Sequence, residues 1–472
     1  MLTLADILEA LTGIRTAKPA LVIPEAGIDS RRAIPGSLFI AIPGERVDGH
    51  NFIEDAFQRG ASLALVQREL PSHLHTLDVR TPPTQAALEN LQPPFCLRVN
   101  HSVQALQTIA RFWRTRLNLR TIGITGSVGK STTKEVIADV LEQRYTTLRT
   151  IGNLNNEIGL PLTLLRLSEG HQVAVLEMGF YVPGEIALLC EIARPQMGVI
   201  TNIGTVHAER AGSQEVIARG KSELVQALPA DGWAVLNHDD PWVRWMANKT
   251  SARIFYYGLT PEAHLWADRV EGLGLEGIRF RMHYRDDVLH VRIPMIGRHS
   301  MQTALRAAAV GLLQGLGWQE IIEGLRSGSS AQLRLVAVRA QSGALLLDDT
   351  YNASPESVLA ALNLLAELEG RKIAVLGDML ELGRYERQGH EMVGVRAAEL
   401  SHLLVTVGAR AHMIAQAAHG AGMARNRIYE FENNTQVIDF LRARLTENDS
   451  VLIKGSRSMH MEEIVEALET RR

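Results

Sequence analysis

Between Arg120 and Arg144 the sequence reads RTIGITGSVGKSTTKEVIADVLEQR. GKST places a lysine and a hydroxyl directly after a glycine-bearing turn, which is the arrangement that holds the phosphates of a nucleotide. Glycines let backbone N–H groups curl around phosphate oxygens, a helix N-terminus adds partial positive charge, and Lys130 supplies a mobile cation. Ser131 puts a hydroxyl where a nucleotide-bound magnesium needs a ligand. Ile124 stands where the longer G-x-x-x-x-G-K-[ST] pattern has its first glycine. The segment is therefore the shorter form, running Thr125, Gly126, Ser127, Val128, Gly129, Lys130, Ser131, Thr132, and the bland alternative is a glycine turn without a ligand.

Other chemistry-bearing residues lie downstream. Glu177 follows the apolar run Gln172 to Leu176, and a carboxylate at the end of a buried strand is the expected second magnesium ligand of a phosphate-loop enzyme. His207 follows the apolar run Gly198 to Ile203 in the same way. Asn153, Asn155 and Asn156 are three amides close enough to read polar substrate groups, although asparagine-rich turns also form for local backbone reasons. Lys221, in EVIARGKSELVQALP, reads from its residues as a surface cation. Near the front, Asp29, Ser30 and Arg31, then Gly44, Glu45, Arg46, Asp48, Gly49 and His50, could hold an anionic sugar nucleotide or could be ordinary solvated loops.

These groups need elements to position them. Thr121 to Thr125 reads as a buried strand, and Lys130 onward as a helix with Val136, Ile137, Val140 and Leu141 on one face. Thr3 caps a first helix that ends at Gly13. Strand Ser37 to Ile42, a helix to Arg59 and strand Ser62 to Val66 make a small α/β unit. Pro82 to Pro94 reads as a surface connection. From Trp266 to Ile293, alternation predicts antiparallel strands turning at Arg285 to Asp287. A boundary falls at Ser327 to Ala331. Beyond it, strands Ala344 to Leu347, Lys372 to Leu376, His402 to Val407 and Ser450 to Ile453 alternate with helices, which predicts a parallel, Rossmann-like sheet. Several of these strands end in polar loops: Asp348, Asp349, Tyr351 and Asn352; Gly377, Asp378 and Glu381; Lys454, Gly455, Ser456 and Arg457. No dinucleotide fingerprint follows the first of them.

At 472 residues the chain is too long for one ordinary core. A 46% hydrophobic and 21% charged composition is that of a globular protein. A net charge of -3 gives no support for a basic nucleic-acid footprint and points to small-molecule partners. Cys96 and Cys190 form no disulfide framework, which suits a reducing compartment. MLTLADILEALTG is too short and too acidic for a signal peptide, and no apolar run is long enough to span a membrane, so a cytoplasmic protein without stable membrane insertion is expected.

The ordered set TGSVGKST, GNLNNEIGLPLTLLRL, EMG with PGEI, GRH, DDTYNASPES, LGDMLELG and KGSRSMHMEEIV resembles the Mur ligases over nearly the whole chain, and within them the MurF branch. The resemblance implies an α/β protein of three domains: a UDP-substrate domain at 1–98, a central phosphate-loop ATPase at 99–328 and a C-terminal Rossmann-like ligase domain at 329–472. It implies a monomer that uses ATP and Mg2+ to join D-alanyl-D-alanine to a UDP-N-acetylmuramoyl-tripeptide through an acyl phosphate, as in peptidoglycan precursor synthesis. Lys130 would grip the terminal phosphates, and Ser131, Glu177 and His207 would hold magnesium. Lys221 matches the lysine that Mur ligases carboxylate with CO2, which reverses its reading as a surface cation. Asn237, His299, Arg334 and Asp349 match positions around the nucleotide. Asn352, Lys454, Ser456 and Arg457 match family positions that face the cleft from the C-terminal domain, and Asp29, Ser30 and Arg31 would serve the UDP end. The chain departs from the MurF pattern at Ser300 and Thr303, where asparagines are usual, at Phe180, Tyr181 and Val182, at Arg210 and Ala211, and at Leu333. The rival readings are another ligase of the superfamily, of folylpolyglutamate or cyanophycin type, and a nucleotide-binding paralogue without turnover.

Overall fold

The computed structural model describes residues 1–15, 21–44, 47–89, 91–205, 209, 212–327 and 336–470. Helix Leu4–Thr12 opens the chain. Thr3 and Asp6 form a reciprocal capping box, and Gly13 closes the helix in the left-handed region, as expected of this sequence. Three sheets follow.

The first is wholly parallel, in the order Ala26–Gly27, Leu38–Ile40, Leu63–Val66, Phe95–Arg98, Thr76–Asp78. The second has nine strands. Six parallel ones run Arg253–Gly258, Trp233–Asn237, Met197–Ile200, Arg120–Thr125, Val173–Glu177, Thr147–Arg149, with Leu265–Gly272, Ile278–Tyr284 and Asp287–Ile293 added at one edge. The last three are antiparallel to one another, and Tyr284 pairs with Asp287 across the two-residue turn Arg285–Asp286. The third sheet runs Val336–Arg339, Leu345–Asp348, Asp449–Lys454, Arg371–Gly377, Leu403–Val407, Ile428–Phe431, parallel except at its first pair.

Strands buried on both faces read as unbroken apolar runs, and all five residues of Val173–Glu177 are buried. Helix Lys130–Leu141 buries Val136, Ile137, Val140 and Leu141 and lies against helix Ser300–Leu313. One expectation is corrected and two strands are added to those expected. The Pro82 to Pro94 connection contains a short helix, Gln85–Glu89. Strands Val336–Arg339 and Ile428–Phe431 had no clear sequence signal, because both are edge strands with mostly exposed or half-buried residues. The Ser327 boundary runs into residues 328–335, outside those described.

Cys96 and Cys190 are buried and unpaired, and burial pushes both thiols up to about 12. No helix among the described residues is long and apolar enough to cross a membrane.

Candidate active site

Strand Arg120–Thr125 stops at Gly126, whose φ of +146° and whose position against the Thr201 hydroxyl leave no room for a side chain. The loop is braced from the neighbouring strand end. Asn202 accepts the Ser127 N–H through its backbone oxygen and the Val128 N–H through its side chain, while Thr201 Oγ1 donates to Val128 O at 2.7 Å. Those two loop amides thus face Asn202 rather than the cleft. Gly129, at φ +83°, is the N-cap of helix Lys130–Leu141, and no side chain caps it. This is the geometry in which a helix N-terminus receives an anion. Lys130 curls back to donate to the Gly126 and Ser127 carbonyls at 2.9 and 3.3 Å. Thr125 lies beneath, buried, with its hydroxyl on Met178 O.

Glu177 meets this loop from the adjacent strand. Ser131 Oγ donates to Glu177 Oε2 at 2.6 Å, and Asn155 Nδ2 donates to Oε1 at 2.9 Å. Asn155 is therefore a partner of the carboxylate in this structure. Asn156 Oδ1 accepts from Ile158 and Gly159 N–H at the start of helix Gly159–Leu164, so it caps a helix. Asn153 is exposed.

Lys221 corrects the surface-cation reading outright: it is fully buried. Ser213 caps its helix, Gln214–Gln226, which delivers Nζ to Gly126 O at 2.9 Å, with the Phe180 ring 4.8 Å away. Phe180 rests on Gly220, where any Cβ would strike the ring. Burial, and then the Lys130 charge, pushes the Lys221 pKa well below the ordinary lysine value.

The opposite wall belongs to the third sheet. One cleft is lined by Ser127, Val128, Gly129, Lys130 and Thr132 on one side and by Asp349, Tyr351, Asn352 and Lys454 on the other, with His299, Ser300 and Thr303 between. Lys454 is buried and locked by Asp349 Oδ2 at 2.7 Å and Asn352 O at 2.7 Å. Ser456 is buried too, its Oγ accepting the Leu380 N–H. Arg457 is exposed, 5.7 Å over Tyr351. Ser300 commits its hydroxyl to Ile296 O. Burial holds His299 down to about 4, helped by Arg306 and Lys454.

Asn237 is not on this cleft. Its amide donates to Thr201 O and Gln302 Oε1 and accepts the Asp239 N–H. His50 is likewise internal. Nδ1 shares its proton with Asp48 Oδ1 at 2.6 Å, and Nε2 accepts the Gln67 N–H at 3.0 Å, so both ring nitrogens fix the fold. Asp29 accepts both the Arg31 N–H and its guanidinium, Ser30 is buried, and Arg31 extends into solvent. Arg46, His207 and Arg334 lie outside the described residues, as do the departures at Arg210, Ala211 and Leu333.

Sequence reasoning missed Asn202, the packing of the Phe180 ring against Lys221, and Arg306, a lone charge within the alanine-rich helix Ser300–Leu313 that is buried against Thr133. It also missed Glu356, whose Oε1 accepts from Thr205 N across the cleft at 3.1 Å.

The family profile described as Mur ligase family, catalytic domain, matches residues 23–114; Mur ligase middle domain matches 124–311, and Mur ligase, glutamate ligase domain, matches 333–457. The UDP-N-acetylmuramoyl-tripeptide--D-alanyl-D-alanine ligase of Bacillus subtilis (strain 168) is 35% identical over 450 residues, spanning 95% of this chain and 93% of that protein. The chain belongs to the Mur ligase family. Among solved Mur ligases, MurF from Acinetobacter baumannii matches with a TM-score of 0.84 and 31% identity, covering 98% of this chain and 97% of that one. MurF from Thermotoga maritima, solved in complex with ADP, matches at 0.79 and 27%, covering 95% and 98%. The Mur ligase fold thus extends over all three sheets.

Proposed function

We propose that this Mur ligase joins D-alanyl-D-alanine to a UDP-N-acetylmuramoyl-tripeptide with ATP, in peptidoglycan precursor synthesis in the cytoplasm. The observation that carries this is near-full-length similarity to ligases of that name, together with a phosphate loop that faces the third sheet's loops across one cleft. A carboxylate is a poor acyl donor. Transfer of the terminal phosphoryl group of ATP to the tripeptide's carboxylate gives an acyl phosphate and ADP; the dipeptide amine then attacks the acyl carbon, and inorganic phosphate leaves as the amide forms. Catalysis of such a transfer rests on positioning and positive charge.

Lys130 and the first turn of its helix would hold the terminal phosphates. Among the described residues no three His, Cys, Asp or Glu side chains converge on one point, so the chain alone offers no metal cage. The hydrogen-bonded pair Ser131 and Glu177 nevertheless fits Mg2+ that takes its remaining ligands from phosphate and water. Bound there, the ion would neutralise charge on the phosphates. His207 is proposed as a further ligand. Tyr351, Asn352 and Arg457 are proposed to receive the dipeptide, and Asp29, Ser30, Arg31 and Arg46 the UDP end, with domains at 1–98, 99–328 and 329–472 in a monomer.

Burial lowers the Lys221 pKa and so favours the neutral amine, whose lone pair can add to CO2. That addition, with loss of one proton, would give a carbamate that attracts Mg2+, where the ammonium form would repel it. Intact-protein mass in bicarbonate at neutral pH, under conditions that preserve carbamates, should show the added CO2; an unmodified mass would remove this step. The function itself is tested by phosphate release from ATP, which should require both the UDP-tripeptide and D-alanyl-D-alanine. Release that requires glutamate as the attacking amine and a different carboxylate substrate would point to another ligase of the superfamily, and ATP binding without release to a paralogue that has lost turnover.

A further inference from the structure

Arg306 is 5% exposed, and among the described residues no carboxylate pairs with it. Its Nη1 donates to Thr133 Oγ1 at 2.5 Å, its guanidinium lies 5.6 Å over the Tyr257 ring, and its buried Nε has no hydrogen-bond partner. A buried cation left without an anion is costly, and cores normally avoid it or pair it. Here it is placed beside the phosphate loop. Nη1 is 3.5 Å from where a side chain on Gly129 would begin, and Thr133 is in the first turn of the helix that Gly129 caps. Thr303, three residues earlier on the same helix face, lines the cleft with Gly129, Lys130 and Thr132. The guanidinium charge also reaches the cleft, since it helps hold His299 neutral.

We propose that Arg306 is a positioning residue for the nucleotide phosphates. It stands behind the glycine turn, fixes the first turn of the phosphate-loop helix through Thr133, and adds a low-dielectric positive charge that the incoming phosphates neutralise. The ligand-free protein bears the cost of the unpaired charge, and the bound protein recovers it. This inference rests on the ATP reading above. It differs from Lys130 in mechanism, because Arg306 acts through the helix and its field without needing to touch the ligand. Nothing in the local sequence requires an arginine there: ALRAAAVG would bury an apolar residue at that position equally well.

The test uses the full chain and measures ADP and adenosine binding by calorimetry, with R306Q and R306K beside the wild type. R306Q keeps a donor for Thr133 but removes the charge, whereas R306K keeps the charge. R306Q should bind ADP about tenfold more weakly, bind adenosine as the wild type does, and show a smaller rise in Tm on adding ADP. R306K should retain most of the ADP affinity. Equal ADP affinity in R306Q and wild type would overturn the proposal, as would a loss shared equally between ADP and adenosine, which marks a merely structural role. A wild-type chain that binds neither ligand would instead bring down the nucleotide reading, and this inference with it.

Discussion

Glu177 is held from two sides, by the Ser131 hydroxyl and by the Asn155 amide, so the direction of its carboxylate is set before any ion arrives. Groups that orient a metal ligand typically change metal affinity by about 10- to 100-fold when removed. Asn155→Ala should therefore raise the Mg2+ concentration needed for half-maximal ligation by about tenfold while leaving Tm nearly unchanged, as a magnesium titration of the rate will show. His390 offers a second test at this scale. It is buried, with Nδ1 donating to Glu386 O and Nε2 accepting the Met379 N–H, and burial holds its pKa below the ordinary value of 6.5. The folded state thus keeps the ring neutral where the unfolded chain already binds a proton. The stability this contributes is complete above pH 6.5 and is lost as pH falls toward the depressed folded value. His390→Gln keeps an acceptor for Met379 and cannot titrate, so its Tm should fall less steeply than wild type below pH 6.5, at a cost of about 1 kcal/mol at neutral pH.

At the scale of elements, the contact of Phe180 with Gly220 has a sign that can be reversed. Alanine favours a helix interior over glycine by about 1 kcal/mol, yet a Cβ at Gly220 would lie 2.0 Å from the Phe180 ring. Gly220→Ala alone should destabilise by about 1–3 kcal/mol through overpacking and should stabilise when placed in a Phe180→Ala background, a coupling that chemical denaturation of the four variants would measure. The same elements mark what the sequence could disclose. The phosphate loop was legible because strand, turn and helix sit within one contiguous stretch, and Glu177 because its strand is an unbroken apolar run. The burial of Lys221 was not legible from its own residues, because it depends on Gly126 and Phe180, which are brought to it only by the folded sheet; the family resemblance alone singled it out. His50, Asn155 and Asn237 were polar residues in plausible positions whose bonds turned out to close inside the protein. Strand Val336–Arg339 was illegible since an exposed edge strand carries no apolar alternation.

For the molecule as a whole, helix Pro355–Glu367 ties the third sheet to the central one at both ends. Glu356 accepts from Thr205 N and Oγ1, and Glu367 lies 3.2 Å from Arg298 and against Gly272. These carboxylates bridge the two units beside the cleft that their loops share. Closing a site by such a movement is how ligases exclude water and assemble their reacting groups. Glu356→Ala combined with Glu367→Ala should leave Tm within a few degrees of wild type, increase the radius of gyration measured by solution X-ray scattering without ligands, and raise the KM for dipeptide more than it lowers kcat. The buried, strongly weakened acidity of Cys96 and Cys190 opens a second route to testing whether the two units move against each other. Neither native sulfur should take up a maleimide dye in the folded protein, so one engineered surface cysteine on each side of the cleft would carry a donor and an acceptor fluorophore without background, and single molecules could be watched opening and closing in real time.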